Sequence, residues 1–287
     1  MKNIALIIFV FTCFVQISYA GGGWPQPAKK GYFKLGQSFI ISDSFYDLNG
    51  DIIDITTISL YTTSLYGEYG ITDRLTGIIY MPFFVRSTLN DVERRQSQIV
   101  EPGDAVNSFG DTDISLKYAL SPGKKIVVSA SLLFGLPFGK IAEGTTDSGD
   151  PRILQTGDGE FNQMIYLDAS RSFYPAPFYA SIGAGFNNRT ENFSDEVRYS
   201  AELGYTGIKD VTLSLKISGV QSLQNGDSGG GAGNGLFGNN VEFFSFGPEV
   251  SYGFTDQLGI TAAAAFAASG TNILASPNFS AGVFFKL

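Results

Sequence analysis

Residues 110–139 carry a pattern that few folds can accommodate. On one arm Ile114, Leu116, Tyr118 and Leu120 alternate with Asp113, Ser115, Lys117 and Ala119. On the next, Ile126, Val128, Ala130, Leu132 and Phe134 alternate with Lys125, Val127, Ser129, Ser131 and Leu133. A period of two means strands with two unlike faces. Ser121-Pro122-Gly123 between them supplies a tight turn, so the pair reads as an antiparallel hairpin. One face is apolar and the other holds Lys and Asp, and the same design recurs along nearly the whole chain. That is the pattern a transmembrane β-barrel requires.

The ends narrow the setting. Lys2, the apolar run 4–15 and Ser18-Tyr19-Ala20 read as a signal peptide over residues 1–20, cut after Ala20. That run is too short to cross a membrane as a helix, and no later run is long enough. Cys13 is the only cysteine and leaves with the signal, which removes disulfide and thiolate chemistry. Histidine is absent, and with it the commonest general base and transition-metal ligand. The sequence therefore predicts no catalytic residues, no metal site and no cofactor. A net charge of -8 offers no surface for neutralising phosphates, so nucleic acid is not an expected partner. Hydrophobic residues make up 44% and aromatics 14% without forming a spanning helix, which favours an outer-membrane barrel over a soluble periplasmic domain.

In chain order, residues 21–30 form an irregular lead, expected to hang at the periplasmic mouth. The barrel is expected over 31–287, with strands near 31–43, 56–70 and 74–86, the hairpin, 161–172 and six more to Leu287. The connections after the third, fifth and ninth strands are long (87–108, 138–159 and 224–240), whereas those after the even-numbered ones are short. That rhythm predicts about twelve antiparallel up-and-down strands with both termini in the periplasm. Pro82, Pro137 and Pro248 fall where a closed barrel has no edge to tolerate them, so each is expected at a bulge or a strand end.

A Lys or Arg facing lipid at the bilayer midplane costs about 2–4 kcal/mol, so charges within strands must face inward. This assigns Glu68, Lys117, Asp168, Arg198, Glu202, Lys216 and Glu249 to the lumen. Two readings stand for them, a pore lining that sets selectivity or ion pairs that brace a filled barrel. Inward Tyr66, Tyr166, Tyr179 and Phe284 are expected to narrow any channel. Tyr61, Tyr69, Tyr118, Tyr199, Tyr205 and Tyr252 fit an interfacial girdle. Asp147, Asp150, Asp158 and Asp227 match no calcium-loop spacing and read as solvated loop carboxylates, while Gly229–Gly233 lacks the lysine of a phosphate loop.

Two resemblances follow from these residues. Phe279, Ala281, Val283, Phe285 and Leu287 alternate to the carboxyl end and resemble the signal read by the barrel-assembly machinery, with Leu287 where Phe is usual. Gly110-Asp111, Lys117-Tyr118 and Phe134-Gly135-Leu136-Pro137-Phe138-Gly139 resemble the outer-membrane family named for the meta-pathway of phenol degradation, with Phe138 in place of its Thr. That resemblance implies a transporter passing small, aromatic or hydrophobic solutes. The expected function is passive passage of small solutes across the cell outer membrane, with lipid, assembly machinery and solute as partners. The alternatives are a closed barrel whose outer loops bind a partner, and a barrel enzyme, which the missing histidine and missing Gly-x-Ser-x-Gly elbow disfavour.

Overall fold

The computed structural model describes residues 22–93, 100–145, 151–227 and 237–287. The signal peptide, Asp147, Asp150 and Gly229–Gly233 lie outside the described residues. Among the described residues twelve long strands form the wall: β1 (Gly31–Tyr46), β2 (Ile52–Gly70), β3 (Leu75–Leu89), β4 (Thr112–Ala119), β5 (Val127–Leu136), β6 (Asn162–Ser172), β7 (Phe178–Arg189), β8 (Glu196–Ile208), β9 (Val211–Ser222), β10 (Glu242–Gly253), β11 (Leu258–Thr271) and β12 (Asn278–Lys286). Each pairs antiparallel with its sequence neighbours. β12 also pairs with β1, from Tyr32↔Lys286 to Phe39↔Phe279, so the sheet closes on itself. Closure leaves no open edge, which hydrocarbon could not solvate.

The register confirms the partition of faces. Leu35, Leu116, Ile165, Ile182, Leu203, Leu215 and Val283 stand on the outside, each more than 40% exposed and therefore free to meet lipid. Their alternates face one another across the interior. Short turns at one end join β2–β3, β4–β5, β6–β7, β8–β9 and β10–β11. The start of β1 and the end of β12 lie at that same end, hereafter the terminal end, where the Leu287 N–H donates to the Gly31 carbonyl (2.9 Å). The long connections gather at the other end, hereafter the loop end.

The three prolines meet different fates. Pro82 sits in a bulge, because Leu65↔Met81 is followed by Thr63↔Phe84 and β3 gains one residue. Beyond it β3 leaves β4 and pairs instead with Asp104–Ser108. Pro137 follows the last residue of β5. Pro248 departs from expectation, being at neither a bulge nor a strand end. It pairs with Leu215 of β9, while the ladder to β11 skips Gly247 and Pro248 without a change of register. Proline has no N–H to give the facing strand. The Ala264 carbonyl packs instead against Gly247, where a Cβ would lie 1.7 Å from it.

Inward aromatics also behave differently from expectation. Tyr166 lies flat over Gly183 and Gly185 of β7, Tyr179 over Gly204 of β8, and Phe284 over Gly259 of β11. A Cβ on Gly204 would sit 2.0 Å from the Tyr179 ring. Glycine opposite each ring makes a groove, so these rings pack along the wall more than they project across the lumen. Gly204→Val should evict Tyr179 and destabilise the barrel by about 1–3 kcal/mol, the usual cost of overpacking. Urea unfolding in lipid vesicles, followed by gel mobility, measures this.

Candidate functional site

The lead Gly22–Ala28 runs into the barrel from the terminal end and docks on inward-facing side chains. Lys117 Nζ donates to the Gly22 carbonyl (2.7 Å), and Ser129 Oγ donates to the Gly23 carbonyl. The Gly23 N–H donates to Ser170 Oγ (2.7 Å), and the Gln26 N–H to Thr76 Oγ1 (2.9 Å). Gln26 Nε2 then reaches Glu68 (2.9 Å), whose other oxygen accepts the Tyr66 hydroxyl. Trp24 meets Tyr179 edge to face, with ring centroids 5.8 Å apart. The fit is close, since a Cβ on Gly23 would lie 2.6 Å from the Val127 carbonyl and one on Gly22 2.5 Å from Ser181 Oγ. The lead therefore does not hang at the mouth. It fills the side of the lumen bounded by β2–β7.

The opposite side stays open. A cavity of about 300 Å³ begins at Gly22 and Asp168 and extends along β8–β12. Its wall carries small residues where the other half carries rings: Ser200, Ser218, Ser245, Ala263, Ala265 and Ser280. Lys216 lines it and pairs with Glu249 (2.9 Å), and Glu202, which accepts the Tyr179 hydroxyl, lies beside them.

At the loop end the connections fold back over the barrel. Val106 and Leu154 are buried against Ile58, Leu89 and Leu274, with Val92 and Ala142 packed on the cluster. Also at this end Arg189 holds three carboxylates, two from one connection and one from the start of β8: Asp158 (2.7 Å), Glu160 (2.7 Å) and Glu196 (2.6 Å). The Phe193 ring centroid lies 4.4 Å from the guanidinium carbon. Asp111 accepts the N–H groups of Gly139 (2.8 Å) and Asp158 (2.6 Å). Asp158, read from the sequence as a solvated carboxylate, is instead largely buried. Burial together with Asp111 and Glu160 pushes its carboxyl up to about 7 against the pull of Arg189.

The seven residues assigned to the lumen thus separate into three groups. Glu68 and Lys117 hold the lead; Asp168, Glu202 and Lys216 line the cavity, with Glu249 paired to Lys216; Arg198 pairs with Glu196 (2.8 Å) at the loop end. Sequence reading overlooked Gln26, Arg189, Glu160 and the row of serines. The serines had a signal, because each occupies an inward position of its strand.

No family model matches the chain, and neither does any curated protein. Solved structures do. An outer membrane channel from Pseudomonas putida superposes with a TM-score of 0.66 at 14% identity, over 93% of this chain and 99% of that one. This chain has the fold of an outer-membrane barrel. The translocator domain of the autotransporter NalP from Neisseria meningitidis shares it at a TM-score of 0.54 and 9% identity, covering 93% of this chain and 90% of that one. The β domain of the Bordetella autotransporter BrkA does so at 0.52 and 13%, covering 90% of this chain and 100% of that one. At these identities the likeness establishes the fold, and the lumen must speak for function.

Proposed function

We propose that the barrel is a passive channel for small solutes, with its terminal end in the periplasm and its lead acting as a plug. The observation that carries this reading is the half-filled lumen. A cavity with a mixed polar and apolar lining runs beside a segment held against the wall by a few hydrogen bonds. A barrel serving only to display its loops has no need of an interior left partly empty and lined with charged groups. Five of the seven inward charges either hold the lead or line the cavity, and Glu249 pairs with one of them, which supports a lumen that combines lining with bracing. The alternation ending at Leu287 supports recognition by the barrel-assembly machinery, and the lumen chemistry supports a channel more than an enzyme.

The purified chain reconstituted in planar bilayers should give discrete single-channel currents with closures, as the lead leaves and returns. Absence of any current, with the barrel shown to be folded by its heat-dependent gel mobility, would refute the channel reading and leave the display of loops as the alternative.

A further inference from the structure

The cavity beside the lead has the chemistry of a binding site, and the geometry points to a small polyhydroxylated solute of about monosaccharide size as its ligand. This rests on the channel reading for its purpose, although the binding itself does not need conduction. Five hydroxyls, those of Ser181, Ser200, Ser218, Ser245 and Ser280, line one continuous surface. Each hydroxyl can donate one hydrogen bond and accept two. Ser218 and Ser245 already bond each other at 2.8 Å, and Ser200 bonds the Tyr166 hydroxyl at 2.7 Å, so their positions are fixed while acceptor capacity remains. Asp168 and Glu202 add carboxylate acceptors, and Lys216, with one contact at Glu249, has donors to spare. Interleaved donors and acceptors of this kind match a solute whose every carbon carries a hydroxyl.

Size and the non-polar lining agree. The cavity of about 300 Å³ holds about ten waters at about 30 Å³ each, which suits a molecule of about ten to twelve heavy atoms. Ala263 and Ala265 place a small apolar patch on one wall, against which the C–H face of a sugar ring can lie. An aromatic hydrocarbon fits this site poorly. It would displace water from the serine, carboxylate and ammonium groups and return no hydrogen bond to any of them. The solute class implied by the family resemblance is thus disfavoured at this cavity.

Trp24 allows a direct test, because it is the only tryptophan in the chain and lies two residues from Gly22 at the cavity edge. Its fluorescence should change saturably when arabinose or glucose is titrated into the folded barrel in detergent, and should not do so with toluene. Ser218→Leu with Ser245→Leu fills the cavity and should abolish the response. Ser218→Ala with Ser245→Ala keeps the cavity open and should weaken binding at least several-fold, which keeps the test valid if the leucine variant misfolds. A saturable response to toluene, no response to either sugar up to its solubility, or unchanged affinity in the alanine variant would each overturn the assignment. Sugar binding by a barrel that never conducts would refute the channel reading alone, whereas conduction without sugar binding would refute this inference alone.

Discussion

Deleting residues 22–27 is expected to convert a channel that flickers between closed and open into one that stays open with a several-fold larger conductance. The expectation follows from where the lead spends its hydrogen bonds. Lys117, Ser129, Ser170, Thr76 and Glu68, on five different strands, all turn inward to meet it. None of these contacts belongs to the sheet ladder, so the barrel should remain folded without them. Each neutral bond contributes about 0.5–1.5 kcal/mol net, and those to charged groups about 1.5–3 kcal/mol. The sum is offset by the chain entropy of ordering the lead, about 1–2 kcal/mol per residue. The docked and released states are therefore close in free energy, which is what a plug that must yield requires. Lys117→Met separates docking from bulk, since it removes the charged tether to Gly22 while the lead stays in the chain. Its currents should show longer openings at unchanged open conductance. Equal conductance in the deletion and the full chain would show that the lead does not obstruct the path.

The wall was legible in the sequence because the bilayer enforces it. Misplacing Lys216 or Glu202 toward lipid is so costly that a period of two, once found, fixes which residues face inward, and strand number follows from loop lengths. Glu202↔Lys216 are directly opposed on β8 and β9, as the alternation of both strands requires. The lead escaped because it has no period. Gly22-Gly23-Trp24-Pro25 shows neither alternation nor helical spacing, and its partners lie up to 147 residues away. Arg189 was passed over for a related reason. Its face could be inferred from Asn187 and Gly185, but Glu160 and Asp158 reach it from a connection with no regular pattern. Pro248 failed differently, because a missing donor becomes visible only when the facing residue is known to be Ala264.

Arg189→Met should cause the largest loss of stability of any single substitution at the loop end. Side-chain exposure of Arg189 is 3%, and Glu160 and Glu196 are equally enclosed at 0% and 4%. Removing the central cation leaves Asp158 and Glu160 without a cationic partner in a largely enclosed site and leaves Arg198 as the one cation on Glu196. Truncating one partner of a buried ion pair typically costs about 3–5 kcal/mol. The wild-type clasp should also respond to pH, in a direction set by Asp158. Its pKa in the clasped state, about 7, lies above that of a solvated carboxyl, so the clasp favours the protonated form. The associated stability is present at acid pH and is lost as pH rises through 7, by at most about 4 kcal/mol for a shift of this size. Hydrogen exchange of the 151–161 segment, compared at pH 5.5 and 8.5 after correction for intrinsic rates, should thus show faster opening at the higher pH. Asp158→Asn fixes the neutral form and should flatten that difference while keeping the segment protected. If opening is instead slower at pH 8.5, Asp158 is held ionised by Arg189, and the ion pair outweighs both burial and the repulsion from Asp111.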